Sequence, residues 1–299
     1  MHNRVSDQTN ESIDAENLAR IELSAGHFPQ ALEYSESALS LATQAGAHRE
    51  TICSLTCRAR SHFALGDITT SVADFERATQ LEGRPLFLSR GVEEAECKFL
   101  RGYRSGACIQ AQSNRTIVLA NNWNEALCRC NALLVRLLLP DDFAQARQCL
   151  QEARAFANRS GDVDLQLRCF RSSSEIQTQI EDYPQAIVEA EAGLLLADTC
   201  GFGKFSIDLR LALAEILLAA GDARKALQNA REALDRSEHP DCQYAWGKSD
   251  GLHFCGVAHL RLGERELALQ RLTAALELRE RLGHGRIAET RRALELCRS

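Results

Sequence analysis

Small residues, more than large apolar ones, carry the strongest periodic signal along this chain. A turn-prone residue is followed five positions later by a small one seven times: Gly26 and Ala31, Gly66 and Ser71, Gly102 and Ala107, Asp141 and Ala146, Glu181 and Ala186, Gly221 and Ala226, Gly263 and Ala268. The small member recurs at intervals of 40, 36, 39, 40, 40 and 42 residues. Seven positions further on stands a second small residue (Ala38, Ala78, Ala153, Gly193, Ala233, Ala275), with Asn114 the exception. Two helical turns separate each pair, so both members face one neighbour. A third small position lies twelve residues before the first (Ala19, Ala59, Ala95, Ser174, Ala214, Gly256), with Leu134 the exception.

Between the units comes a second breaker: Gly46, Pro85, Asn121, Gly161, Gly201, Pro240 and Gly283. The pattern therefore predicts helix, tight turn, helix and break, seven times over. Asp67, Asp142, Asp182 and Asp222 stand where second helices begin and can accept bonds from otherwise unpaired N–H groups. One hairpin cannot bury its apolar face alone, whereas a stack of them buries a continuous core. The expected fold is an all-α solenoid, with residues 1–11 a disordered tail, 12–284 seven helical hairpins and 285–299 a capping helix.

This pattern resembles the tetratricopeptide repeat (TPR) family over residues 12–298. The last unit carries the fullest match: Leu252, Cys255, Gly256 and His259 occupy the family's W-x2-L-G-x2-Y spacing and are followed by Gly263, Ala268 and Ala275. The period is near 40 rather than 34, so each helix is about one turn longer, and Leu, Ala, Cys or His replace most consensus aromatics. The long period and Tyr244-x-Trp246-Gly247 are similar to the TPR tails of bacterial signal-transducing ATPases and to long-repeat peptide-responsive regulators. The resemblance implies a right-handed superhelix whose first helices line a concave face. Carried over position by position, its groove residues are Glu16, Arg20, Arg60, Asn131, Arg168, Arg171, Glu175, Asp208, Glu215, Asp250 and His253. No unit holds the lysine and asparagine with which chaperone-tail-binding members clamp a terminal carboxylate.

Composition agrees with a folded helical protein: 45% of residues are hydrophobic and 25% charged, with only five prolines. The formal net charge of −6 argues against a nucleic-acid partner. Nine arginines lie between Arg261 and Arg298, but six glutamates interleave with them at spacings that permit i,i+4 pairing. The longest apolar run, 132–139, is interrupted by Arg136 and is far shorter than the roughly 18 residues that suggest a membrane span. The polar start has no apolar signal core, so the expected compartment is the cytoplasm, and the twelve cysteines read as reduced, packing thiols.

Candidate chemistry is sparse. Cys255 and His259 are i,i+4 on a helix, as zinc ligands can be, but both fall on repeat positions that face the partner helix. The pairs Cys53 with Cys57, and Cys128 with Cys130, lack the spacing of a metal knuckle. The segment 201–206 has a lysine where a phosphate loop would, but Phe205 follows it instead of Ser or Thr. Ser172, Ser173 and Ser174 lie inside a helix with no histidine near them in sequence to act as base. These readings point away from an enzyme, a metal or another cofactor. They favour a protein-interaction scaffold that takes a peptide or protein on its concave face. The alternative is a signal-transduction regulator whose superhelix changes shape on binding. Trp246 either packs over the junction with the sixth unit or is exposed as a partner anchor.

Overall fold

The computed structural model describes residues 2–82, 88–139 and 141–298, with side chains from residue 7 onward except in 88–90. The described residues form fifteen α-helices. They pair as α1 (His2–Ala25) with α2 (Phe28–Ala45), α3 (His48–Leu65) with α4 (Ile68–Glu82), and α5 (Leu88–Leu100) with α6 (Arg104–Ala120). Next come α7 (Asn124–Leu138) with α8 (Phe143–Ser160) and α9 (Val163–Gln179) with α10 (Tyr183–Cys200). The last pairs are α11 (Gly203–Ala219) with α12 (Ala223–Glu238) and α13 (Ala245–Arg261) with α14 (Arg265–Leu282), capped by α15 (Ile287–Arg298). Consecutive helices pack on one another from α1 to α4 and from α5 to α15, and the first helices of successive units also touch one another, forming an inner row.

The small positions are where the helices meet. The first of them is 0–1% exposed in every unit, from Ala31 and Ser71 to Ala268. A Cβ on Gly256 would lie 2.5 Å from Leu272 Cγ, and one on Gly193 would lie 2.8 Å from Phe170 Cβ. The exception Asn114 is accommodated by a reciprocal loss of bulk, because a Cβ on the facing Gly91 would sit 2.2 Å from its Nδ2. All four aspartates cap as expected: their side chains accept from the backbone N–H of Thr70, Gln145, Gln185 and Lys225 at 2.9–3.2 Å. Gly46, Gly161, Gly201 and Gly283 end their helices in the left-handed conformation. The break expected at Pro85 lies outside the described residues.

Two expectations change. Residues 2–11 continue α1, where a disordered tail was expected, and the helix is held by contacts such as the buried Ser12 hydroxyl donating to the Ala38 carbonyl at 3.0 Å. Trp246 is 2% exposed, and its ring stacks on Phe63 of the second unit, not on the sixth. The inner row therefore closes on itself, with α1 against α11 and α3 against α13.

Two glycine substitutions separate packing from propensity. Gly256→Ala should lower stability by about 1–3 kcal/mol, although alanine is the better helix former, because its Cβ overlaps Leu272. Gly106→Ala in α6, with nothing within 4 Å, should leave stability unchanged or raise it by about 0.5–1 kcal/mol. Urea unfolding of the two variants beside the parent checks both signs.

Candidate functional site

Closure of the inner row encloses a lumen, and the lumen is lined by charge. Side chains from five inner helices form one alternating series across it. Arg60 on α3 meets Glu93 on α5 at 3.1 Å, and Glu93 also faces Arg129 on α7 at 3.7 Å. Arg129 pairs with Asp164 on α9 at 3.1 Å, Asp164 with Arg168 at 3.0 Å, and Arg168 with Glu96 at 3.7 Å. Glu96 faces Arg136 at 3.9 Å, and Arg136 Nε donates to Glu175 at 2.9 Å. Arg171 then bridges Glu175 at 3.6 Å and Asp208 on α11 at 2.7 Å, and Lys204 closes the series on Asp208 at 2.9 Å. Each of these side chains is less than a third exposed, so every charge depends on its neighbour for compensation.

The electrostatics follow from that crowding. Burial pushes the Glu96 carboxyl up, but Lys204, Arg168, Arg136 and Arg171 together outweigh it and hold the group well below the ordinary carboxylate range. Asp164, beside Arg168 and Arg129, and Asp208, beside Lys204 and Arg171, are likewise held down against their burial. Glu16 is the opposite case: burial dominates and its pKa rises. Burial also raises the Tyr244 phenol well above its usual value, and its hydroxyl lies 3.4 Å from Asp208.

A small cavity of about 50 Å³, with Arg60, Glu93, Arg168 and Lys204 in its wall, forms a constriction between two larger chambers with which it shares lining residues. One chamber, of about 550 Å³, lies between α5, α7, α9, α11 and the start of α13. Its wall joins apolar surface from Phe99, Leu211, Ile216, Trp246 and Phe254 to six acidic and four basic side chains. Arg286, from the start of the capping segment, reaches across this chamber's rim to Glu215 at 2.6 Å. The other chamber, of about 1290 Å³, is more open and lies between α1, α3 and the starts of α7 and α9.

Nine of the eleven groove residues expected from the sequence face this lumen. Glu16 and Arg20 line the larger chamber, Arg60 and Arg168 the constriction, and Arg171, Glu175, Asp208, Glu215 and Asp250 the smaller chamber. Asn131 does not: it is wholly buried toward the outer helices, accepting from Arg115 and donating to Glu152. His253 does not either, since it is buried behind α13 with Nδ1 3.2 Å from the Thr290 hydroxyl, and burial holds it neutral well below the usual imidazole range. Asp250 lines the chamber while its carboxylate is spent on Arg279, which is 0% exposed, and on His284 at 3.3 Å.

The sequence reading missed Glu93, Glu96, Arg129, Arg136, Asp164, Lys204 and Arg286. Glu96 was legible, because it follows the small Ala95 as Arg60 follows Ala59 and Glu175 follows Ser174. Arg129 and Arg136, two turns apart, share the lumen face of α7 one residue beyond the positions carried over from the repeat. The large Leu134 at a small position was the sign that this helix sits differently. Lys204 and Arg286 lie at element starts, where helical periodicity carries no information. Cys255 is buried, and the His259 ring is held by Glu264 and Arg231. Among the described residues no cluster of His, Cys, Asp and Glu side chains is arranged to hold a metal ion.

No protein-family model and no curated protein matches the chain. Among solved structures, it is similar to a signal transduction ATPase with numerous domains and a tetratricopeptide repeat sensor from Pyrococcus horikoshii. The identity is 14%, the TM-score 0.62, and the match covers 90% of this chain and 41% of that one. It is also similar to a Rap protein complexed with competence and sporulation factor, at 11% identity and TM-score 0.62 over 98% of this chain and 97% of that one. NprR in complex with its cognate peptide NprX matches at 11% identity and TM-score 0.62, over 95% and 83% of the two chains. The present chain thus spans about two fifths of the ATPase and nearly the whole of the Rap protein. The shared feature is the fold: an all-α, TPR-like solenoid.

Two outcomes follow from the charge series. Asp208→Asn removes the carboxylate that Arg171 and Lys204 share, leaving Arg171 with Glu175 and Lys204 without its ion-pair partner, and should cost about 3 kcal/mol, measured by urea unfolding at neutral pH. Glu96, Asp164 and Asp208 titrate below their unfolded values, so the stability they confer is complete above the ordinary carboxylate range. It is lost as pH falls through that range toward their depressed values. Melting temperature should therefore fall modestly from pH 7 to about 5, where the unfolded chain protonates His253 while the buried ring stays neutral, and drop more steeply below about 4 as the carboxylates follow. Glu16, with its pKa raised, works in the opposite direction and only blunts the drop.

Proposed function

We propose that the chain is a non-enzymatic binding module that takes a short, extended peptide into its lumen. The observation that carries this reading is the smaller chamber, about 550 Å³ and lined by both apolar and charged groups, which falls in the size range of small-ligand sites. A closed inner row admits a strand of peptide or a small molecule and leaves no room inside for a folded domain, which narrows the peptide-or-protein expectation of the sequence. Every cation at this chamber is already paired, so an incoming peptide binds by exchanging partners within the series, and its termini and polar side chains take the place of an internal pair. The NprR structure, solved in complex with its cognate peptide NprX, supports a peptide as the occupant. Among the described residues no helix is long and apolar enough to cross a membrane.

The test fills the chamber without touching its charges. A mixed library of short synthetic peptides is passed over immobilised parent protein and over Ala212→Trp, whose new ring would occupy the smaller chamber. The parent should retain a discrete set of peptides and the variant should retain them at least tenfold less, on the scale of one lost anchor. Equal retention by both proteins would place binding outside the chamber.

A further inference from the structure

The charges lining the smaller chamber are unequal in opposite senses at its two ends. At the inner end two cations share one carboxylate oxygen: Asp208 Oδ2 accepts from Arg171 at 2.7 Å and from Lys204 at 2.9 Å. Among the described residues Lys204 pairs with no other carboxylate. The second partner of Arg171, Glu175, lies at 3.6 Å and is itself engaged by Arg136 Nε at 2.9 Å. At the rim the proportion is reversed, and two carboxylates share one cation. Arg286 donates to Glu215 at 2.6 Å and to Glu289 at 2.7 Å, and neither acid pairs with another cation among the described residues.

The distance between these ends is set by one helix. Asp208 and Glu215 stand seven residues apart on the same face of α11, a rise of about 10 Å. On α13, which packs beside α11, the same order recurs. The Tyr244 hydroxyl lies 3.4 Å from Asp208, and the Phe254 ring has the Arg286 guanidinium 5.4 Å from its centroid. The wall between the charged ends is apolar, built from Leu211, Ala212 and Trp246.

We propose that the occupant is a zwitterion of tripeptide length with both termini free, its carboxylate at the inner end and its ammonium group at the rim. An extended chain covers about 3.3–3.6 Å per residue, so three residues bridge the two ends. The carboxylate becomes a second anion for Arg171 and Lys204, and the ammonium group a second cation for Glu215 and Glu289, which evens the charge at both ends. Lys204 and Arg171 are more deeply buried than Glu215 and Glu289, so the carboxylate is the end held farther from water. The inference rests on the lumen-binding reading and adds length, charge and orientation to it.

The test uses the full chain and tripeptides of uncharged amino acids, so that the termini carry the only ligand charges. Retention on immobilised protein should be on the order of tenfold stronger for the free set than for the same set with amidated C-termini. N-acetylated tripeptides should lose a similar factor, the scale of one charge-assisted hydrogen bond. Equal retention of the free and blocked sets would overturn the proposal. Glu215→Gln with Glu289→Gln, both partly exposed at the rim, should lose the discrimination against acetylation and keep that against amidation. Undiminished discrimination against acetylation by this variant would place the ammonium group elsewhere and sink the orientation. Retention of longer peptides by the parent but not by Ala212→Trp, with no free tripeptide retained, would end the three-residue zwitterion and leave the lumen reading standing. Tripeptides held equally by the parent and by Ala212→Trp would remove the lumen site and this inference together.

Discussion

Buried charge on the inner helices is the constraint that the rest of this structure serves. Removing a carboxylate or guanidinium from water costs several kcal/mol unless an opposite charge and good geometry meet it. Here six basic and five acidic groups, from Arg60 to Lys204, meet one another in alternation across five units. Most of these partners lie on different hairpins, so the pairing works only if each hairpin is set at a fixed rotation to the next. The small residues set that rotation: Ala, Ser or Gly at three positions per unit, Asn114 and Leu134 excepted, brings the helix backbones close together.

The same fixed rotation brings the chain round to meet itself. An open solenoid has a concave face accessible along its length and ends that do not communicate. In this chain Phe63 and Trp246, 183 residues apart, share a hydrogen bond and a ring stack, and the concave face becomes the wall of a lumen. Arg279, wholly buried against Asp250 and Thr290, ties α14 to α13 and α15, and the short turn after it carries both the Gly285 N–H to the Leu100 carbonyl and Arg286 to the chamber rim. Fold, closure and chamber walls are thus built from overlapping residues.

Much of this is legible in the sequence. The seven units, their turns and the four aspartate caps follow from local rules that need only a few residues of context. The lumen residues Arg60, Arg168, Arg171, Glu175 and Asp208 were legible because the repeat fixes which face of a first helix looks inward. What was not legible depends on contacts far apart in sequence. Asn131 was placed in the groove because α7 was read in the register of its neighbours, although Leu134 broke the pattern and Arg129 and Arg136 in fact take the inward face. Trp246 was ambiguous for a related reason: its partner is Phe63, and no periodicity links residues that meet only when the superhelix completes its turn. His253 obeyed the repeat spacing but is covered by α15, an element outside the repeat.

The closed superhelix is the claim on which the lumen and its chambers stand, and the two tryptophans give a direct view of it. Trp123 is 38% exposed at the wall of the larger, more open chamber, whereas the Trp246 indole is buried and bonded across the closure to Phe63. In a proton–nitrogen NMR spectrum of the protein transferred to heavy water, one indole signal should vanish at once and the other, assigned to Trp246 by its loss in Trp246→Phe, should persist. Immediate loss of both signals from a fully helical protein would mean that the superhelix is open in solution and that the lumen does not exist as a closed site.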